Sequence, residues 1–146
     1  MATTASTAIM FVGDQCGRTN EAVAYYAAHV PGVSVNKLVV IDDASDPRVG
    51  DVRRAEFTIG DARFIAFDSA LPHAFSLTPA ISIWLDLDND DQIQTVFETL
   101  ADGGATHMPL GDYGFSRRFA WVDDRFGVSW QLNLPLLHRG PPGSPP

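Results

Sequence analysis

Two short stretches of this chain carry side chains that could bind a metal ion or a small molecule. The first, DDRFGVSWQL (123–132), holds two carboxylates, a Gly-containing turn and a strand-like run that includes Gln131. The second, AISIWLDL (80–87), alternates apolar and polar residues and includes Ser82 and Asp86. Carboxylates and amides bind divalent metals and also hydrogen-bond organic ligands, so both kinds of site are open at this point.

The geometry of a strand decides which of these side chains share a face. Successive residues point to opposite sides, so Ser82, Trp84 and Asp86 are expected on one face of a groove. Ile81 is then expected on the other face, beneath a helix. The same rule turns Gln131 towards the groove. Asp86 would act as a general base if it were buried, because desolvation raises the pKa of a carboxylate; the alternative is a position at the end of the strand, near solvent.

Composition narrows the class of partner. Ten Lys and Arg stand against eighteen Asp and Glu, a net charge of −8 at pH 7. This charge repels phosphate backbones and argues against a nucleic-acid partner; it suits a cationic small molecule, or it serves solubility. Cys16 is the only cysteine, which excludes an intrachain disulfide and suits a reducing cytoplasm. No segment resembles a signal peptide or the ~18-residue apolar run of a membrane span, so a cytoplasmic protein without a membrane partner is expected.

The apolar pattern predicts the order β-α-β-β-β twice. Helices are predicted over about 19–30 and 90–102, the second started by an Asn89–Gln92 capping box and ended at Gly103. Strands are predicted over about 7–12, 33–41, 52–60 and 62–67, and again over 80–87, 104–108, 116–122 and 128–133.

The repeat predicts an α+β fold with a central cleft. A small sheet with one helix leaves its other face wet, so the two halves are expected to enclose a shared groove, with the helices on the outer faces. A single domain is expected over 7–135, with modules at about 7–67 and 80–133. The Pro/Gly-rich tail 136–146 is predicted to be disordered.

Four segments resemble the PhnB-like branch of the vicinal oxygen chelate superfamily, which includes glyoxalase I, extradiol dioxygenases and bleomycin-resistance proteins. They are TNEAVAYYAAHVPG (19–32), FTIGDARFIAFD (57–68), AISIWLDLD (80–88) and WVDDRFGVSWQLNLP (121–135). The resemblance implies two βαβββ modules forming a curved mixed sheet around a cleft, a small-molecule ligand and a homodimer. The branch often carries a ubiquinone-methyltransferase label, yet the glycine-rich βα turn that a nucleotide-binding methyltransferase needs does not follow any predicted strand.

The resemblance also indicates where a metal would bind. Metal-dependent members use His and Glu on matching strands of both modules to hold Zn, Ni, Mn or Fe. The matching positions here hold Ser82 and Gln131 in the second module, and Thr7 and Asp68 in the first. With one amide and one carboxylate in this set, no metal and no other cofactor are expected; a divalent metal with atypical ligands is the alternative. The four histidines are not expected to bind a metal: His29, His73, His107 and His138.

An aromatic groove with a few polar anchors is the general chemistry of a small-molecule site. The residues expected to contact the ligand are Ser82, Trp84, Asp86, Gln131, Trp121, Phe67 and Arg117. Asn133 and Phe119 are also expected to face the groove. Trp121 has the core as its alternative, and alternation turns either Arg117 or Arg118 inwards, where it could bind a carboxylate. The loop 112–115 is either a mobile flap or a plain connection.

The sequence thus predicts a small-molecule-binding protein of resistance or sequestration type, without a conventional bound metal. One alternative is a metal-dependent lyase, isomerase or dioxygenase with atypical ligands. Another is a metal-free biosynthetic enzyme that orients a reactive intermediate in the cleft.

Overall fold

The computed structural model describes residues 2–136 and shows the predicted order of elements twice. The first half has β1 (Thr7–Phe11), a 3-10 helix (Gly13–Gln15), α1 (Thr19–His29), β2 (Val33–Val40), β3 (Val52–Ile59) and β4 (Ala62–Asp68). The second half has β5 (Ile83–Asp86), α2 (Asp90–Ala101), β6 (Ala105–Gly111), β7 (Arg118–Asp123) and β8 (Ser129–Leu134). From residue 137 onward the tail, with His138, lies outside the described residues, so the predictions made for it stay predictions.

The chain divides into two compact modules, the first ending at Leu77 and the second beginning at Thr78. Each has a four-stranded mixed sheet, in the order β1-β4-β3-β2 in the first and β5-β8-β7-β6 in the second. In both sheets the first strand pairs parallel with the last, and the other pairs are antiparallel. This repeated topology confirms the α+β class with two βαβββ modules. The groove expected between the modules stays a prediction.

In the first module α1 covers one face of the sheet. Val23 and Tyr26 of the helix are buried, and the Tyr26 ring centroid lies 6.2 Å from that of Phe57 on β3. Phe57 stacks in turn on Phe64 of β4, at 5.1 Å between centroids. The alternate residues of β4, such as Arg63, are exposed or half-buried on the other face. Burial of the aromatic and aliphatic side chains beneath α1 is therefore what stabilises this module.

In the second module α2 covers the equivalent face. The Asn89 side chain accepts from the N–H of Gln92 at 2.9 Å, and the Gln92 side chain accepts from the N–H of Asp88 at 2.7 Å. The predicted capping box is thus present, with its second bond made one residue earlier than in the usual form. Gly103 ends the helix with a φ of 78°, as expected. Beneath the helix, Trp130 of β8 is fully buried.

Two strand ends differ from the prediction. β5 begins at Ile83, where its pairing with β8 begins, so Ile81 precedes the ladder and is 78% exposed. The expectation that Ile81 packs beneath a helix is wrong, because alternation carries meaning only within the paired strand. β7 likewise begins at Arg118, two residues later than predicted, while β6 extends to Gly111.

Candidate functional site: the open face of the second sheet

The face of the second sheet away from α2, called the open face below, collects most of the polar and aromatic residues singled out in the sequence. Strand pairing sets them in two rows, Trp84–Gln131–Trp121 and Asp86–Asn133–Phe119, each running from β5 across β8 to β7. The residues that alternate with them are buried on the α2 side: Leu85, Ala120 and Leu132. These residues therefore share one face of the sheet, as alternation predicts, and the groove they were expected to line stays a prediction.

Gln131 lies on the open face and is half-buried. Its Nε2 donates to Oγ of Ser82 at 2.7 Å, which fixes the orientation of the amide. Within residues 2–136 its Oε1 makes no hydrogen bond, so this oxygen can accept one from a ligand. The amide thus links β8 to the segment that leads into β5.

Asn133 and Asp86 form the polar centre of the second row. Asn133 is 8% exposed, and its Nδ2 donates to Oδ1 of Asp86 at 2.8 Å; the same carboxylate oxygen accepts from Nε1 of Trp84 at 2.9 Å. Oδ1 of Asn133 is buried and has no partner in the described part of the chain. Such an oxygen costs about 1–3 kcal/mol of folding free energy. Asp86 itself ends β5 and is exposed, so its predicted position near solvent is confirmed and a buried Asp86 base is wrong.

Aromatic side chains cover the β7 side of this centre. The Phe119 ring lies 5.5 Å from Trp84, 4.9 Å from Phe115 and 6.2 Å from Tyr113. The hydroxyl of Tyr113 donates to the carbonyl of Pro109 at 2.6 Å, which ties the loop 112–115 to β6. Three of these rings remain well exposed, Trp84 at 51%, Tyr113 at 41% and Phe115 at 53%, and an exposed cluster of this kind is typical of a binding surface.

The first row ends in a separate group of polar side chains. Trp121 is half-buried on the open face, and its Nε1 donates to Oγ of Ser129 at 2.8 Å, so it does not belong to the core beneath α2. Its ring lies 4.8 Å from that of His107, whose Nε2 is 2.9 Å from Oδ2 of Asp123. The pairing of His107 with Asp123 was not anticipated from the sequence.

Asp124 sets the phase of β8. Its Oδ1 accepts from the N–H groups of Phe126 at 2.8 Å and Val128 at 3.1 Å, and its Oδ2 accepts from Nε1 of Trp130 at 2.9 Å. The carboxylate thereby anchors the turn and the buried indole to each other. Once Trp130 points beneath α2, the period of two along the strand places Gln131 on the open face.

Arg117 and Arg118 make their hydrogen bonds to groups other than the open-face side chains. Arg118 lies on the α2 side, where its Nη2 donates to Oε1 of Gln94 at 2.9 Å, because as the first residue of β7 it has the phase of the buried Ala120. Arg117 precedes the strand, and its Nε donates to the carbonyl of Pro135 at 2.9 Å. Of the two arginines Arg118 is thus not the one that alternation turns to the open face, and Arg117 has no hydrogen bond or ion pair with an open-face residue in the described chain.

The second module carries many more acidic than basic side chains. Residues 78–136 contain three arginines and no lysine against nine Asp and Glu. The third arginine, Arg125, pairs with Asp102 at 3.3 Å. The carboxylate of Asp86 therefore has no basic partner among the described residues and gives the open face a negative potential.

The positions that the resemblance assigns to metal ligands do not fit a metal ion. Asp68 is 6% exposed; its Oδ1 accepts from the N–H of Gly17 and from both N–H and Oγ1 of Thr19, and its Oδ2 accepts from the N–H of Val52 at 2.7 Å. The carboxylate of Asp68 thus caps the start of α1, where the N-cap residue itself makes no side-chain capping hydrogen bond. Across 2–136 no group of three or more His, Cys, Asp or Glu side chains is placed to hold a metal.

Phe67 lies in the first module, half-buried on the side of its sheet away from α1. The same module has a groove of about 470 Å³, lined by ten residues that include Lys37, Arg54, Glu56 and Arg63. A hydrogen bond from Arg54 at 3.3 Å lowers the pKa of Glu56, and the groove is mainly polar. We give it less weight than the open face of the second sheet, because its charged side chains are exposed and flexible and already pair with one another.

Cys16 is not an activated nucleophile. Burial raises the pKa of its thiol, and the negative charge of Asp51, whose Oδ2 is 3.9 Å from Sγ, raises it further. The thiol therefore stays protonated at neutral pH, and the thiolate is the reactive form.

The chain was compared with known families and structures. The model of a family described as 3-demethylubiquinone-9 3-methyltransferase matches residues 3–133. A solved structure from Bacillus cereus, described as a putative 3-demethylubiquinone-9 3-methyltransferase, PhnB protein, is 36% identical, with a TM-score of 0.80 over 90% of this chain and 99% of its own. No curated protein matches.

More distant structures share the fold. A glyoxalase/bleomycin resistance protein/dioxygenase from Nocardioides is 18% identical, with a TM-score of 0.54 over 100% of this chain and 92% of its own. The fosfomycin resistance protein FosX from Listeria monocytogenes is 9% identical, with a TM-score of 0.60 over 94% of this chain and 96% of its own. Among the described residues, no helix is long and apolar enough to cross a membrane. The chain belongs to the PhnB-like family, whose model matches residues 3–133, nearly all of those described.

Proposed function

We propose that the protein binds a small organic cation on the open face of its second sheet, as a binding protein of resistance or sequestration type that uses no conventional bound metal. The observation that carries the proposal is the exposed carboxylate of Asp86, one oxygen of which accepts from both Asn133 and the exposed indole of Trp84. A protonated amine at this place would meet a negative charge, a hydrogen-bond acceptor and an aromatic face together.

Each of these groups favours a cation for its own physical reason. The ring quadrupole of Trp84 attracts positive charge, by about 0.5–1 kcal/mol at exposed sites. The second carboxylate oxygen of Asp86 makes no hydrogen bond within residues 2–136 and can accept one from an N–H of the ligand. The arginines of the described second module make their contacts elsewhere, so none of them pairs with Asp86. The role in resistance or sequestration rests on fold analogy with proteins named for fosfomycin and bleomycin resistance.

Methyl transfer from a nucleotide cofactor is not the activity we propose, although the family model is described by that name. A nucleotide-binding methyltransferase needs free backbone N–H groups at the start of a helix that follows a strand. In this chain the N–H groups of Gly17 and Thr19 at the start of α1 already donate to Asp68. The mixed, largely antiparallel sheets also differ from the parallel sheet of that fold class.

Fluorescence titration tests the proposal. The planar cation N-methylquinolinium is added to the protein, and quenching of tryptophan emission is compared with that by neutral quinoline at pH 8. We expect the cation to bind more tightly, and Asp86→Asn to weaken its binding about two- to tenfold while leaving quinoline unaffected. Asp88→Asn is the matched control, since Asp88 is exposed and its carboxylate makes no hydrogen bond within 2–136.

Equal affinities for the cation and for quinoline would contradict the proposal. Elemental analysis of untagged protein prepared without chelators tests the metal-free part, which a stoichiometric transition metal would overturn in favour of the metal-dependent alternative. The homodimer implied by the family likeness stays a proposal, and light scattering of the purified protein measures it.

A further inference from the structure

The pair His107–Asp123 is placed at the far end of the open face from Asp86 and has no structural task that requires a histidine. His107 Nε2 lies 2.9 Å from Oδ2 of Asp123, with the two side chains 31% and 20% exposed. The other carboxylate oxygen, Oδ1 of Asp123, is buried and has no partner in the described part of the chain. A carboxylate held in this way keeps its full hydrogen-bonding capacity for the imidazole.

An irregularity in β6 brings the pair together. β6 pairs antiparallel with β7, with Ala105 opposite Asp123, but the register shifts between Thr106 and Met108. His107 falls at this shift and is left out of the regular ladder. A β-bulge re-aims the side chain at the extra residue, and such bulges are enriched beside functional sites. Here it brings His107 to the open face, where it meets both Asp123 and Trp121.

The 2.9 Å contact between Nε2 and the carboxylate of Asp123 bears on which nitrogen can react. Because Nε2 lies against a carboxylate, the proton of the neutral imidazole is assigned to Nε2, and Nδ1 keeps its lone pair. Nδ1 makes no hydrogen bond within residues 2–136, so it can accept a proton from a bound molecule. Asp123 then stabilises the imidazolium that forms, as an orienting carboxylate does in general-base catalysis.

From this geometry we infer that His107 is a general base, oriented by Asp123, for an acidic C–H or N–H group of a flat substrate that lies against the ring of Trp121. The proton passes to Nδ1, and the electron pair of the broken bond stays on the substrate as an anion or forms a new π bond while a leaving group departs with the pair of its own bond. His107 is the catalytic residue in this scheme and Asp123 the positioning residue. The inference rests on the proposed function in that the same open face holds the substrate, and it makes this face a catalytic surface without a metal.

Base-promoted ring opening of 5-nitrobenzisoxazole provides the test, because this flat, neutral probe needs only a base beside an aromatic surface. Nδ1 takes the proton from C3, the C–H electron pair forms the nitrile, and the N–O bond breaks to leave a coloured phenolate. We expect the intact protein to exceed free imidazole at equal concentration by about 100-fold or more. His107→Ala should lose this advantage, and added imidazole should restore part of it.

Three further variants separate chemistry from folding. His107→Gln keeps a donor for Asp123 but has no base, so it should lose the rate while retaining the far-ultraviolet circular dichroism of the parent. Asp123→Asn should lower kcat about tenfold with little change in KM, since it loosens the base without removing the surface that holds the probe. His73→Ala is the matched control, because His73 lies in the first module and pairs with Ser69.

A His107→Gln protein that opens the probe as fast as the parent would overturn the inference, and so would a parent no faster than imidazole. Neither result affects the titration with N-methylquinolinium, which depends on Asp86. Conversely, a His107-dependent rate in a protein that does not bind the cation would support His107 as a base and contradict the proposed cationic ligand. The two proposals can therefore fail separately.

Discussion

Replacing Asp124 by Asn tests whether one carboxylate sets the phase of β8 and hence the composition of the open face. In the native chain Oδ1 accepts from two backbone N–H groups of the turn, and Oδ2 accepts from the indole of Trp130 at 2.9 Å. The amide of Asn can keep its oxygen on the turn. Its Nδ2 then faces Nε1 of Trp130, and two donors are left opposed in a fully buried place.

The expected loss follows from those contacts. A hydrogen bond to a charged acceptor contributes about 1.5–3 kcal/mol, and a buried N–H left unpaired costs about 1–3 kcal/mol. These figures overlap, since both describe the indole of Trp130, and the weaker neutral acceptor at the turn adds to them. We therefore expect Asp124→Asn to lower the free energy of unfolding by about 2–4 kcal/mol, a large share of the ~5–15 kcal/mol typical of a domain.

Urea unfolding measures this loss. All three tryptophans, Trp84, Trp121 and Trp130, lie in the second module, so their fluorescence reports its unfolding, while far-ultraviolet circular dichroism reports both modules. The midpoint should fall with an unchanged slope. Combining the change with Trp130→Phe should show coupling of at least about 1 kcal/mol, because Phe has no N–H to leave unpaired. The reasoning fails if Asp124→Asn shifts the midpoint no more than the exposed control Asp88→Asn, or if the two changes are additive.

Three other predictions rest on contacts outside the open face. Asp68→Asn should destabilise the first module by about 2–4 kcal/mol, seen by circular dichroism, and leave the metal content of the protein unchanged. Gly104→Ala should lower the free energy of unfolding by about 2 kcal/mol or more, because the new Cβ would lie 1.9 Å from a carbonyl oxygen of β7. Gly111→Ala is the control: its Cβ would have its nearest contact at 3.8 Å, so the loss in the same urea assay should be far smaller. Cys16 should react with iodoacetamide more slowly than glutathione at pH 8, and the midpoint of its rate–pH profile should lie at higher pH, since the raised pKa of the thiol leaves less thiolate. Asp51→Asn should speed the reaction, and an unchanged rate would contradict the role given to Asp51.

Local periodicity was enough to predict the face on which the main candidates lie. Within paired strands the period of two is rigid, so the positions of Trp84, Asp86 and Gln131 follow from the sequence alone. The same rule failed for Ile81, because it depends on where the ladder begins. Strand ends are set by pairing with distant segments, which a local pattern does not contain.

The His107–Asp123 pair could not be predicted from the sequence, for a different reason. The two residues are brought together by antiparallel pairing of β6 with β7 and by a register shift at the histidine. One signal was available in the sequence: Pro109 lies two residues on, and proline within a strand marks an edge or a bulge. The role of Asp68 was equally hidden, since the groups it binds are spread over α1 and β3.

The open face has two functional ends, and their separation constrains what it can hold. From Asp86 on β5 to Asp123 on β7 is two strand spacings across and four residues along β8, which amounts to roughly 15 Å. Both ends favour positive charge, Asp86 for a bound cation and Asp123 for the imidazolium of His107. A cation held next to His107 would oppose its protonation, so a substrate must place its charge at the Asp86 end and its acidic proton at the Trp121 end. Only an extended molecule can do both. N-methylquinolinium and 5-nitrobenzisoxazole are each too short to span the face, so they should bind without competing. Strict competition between them would show that the two ends are one site.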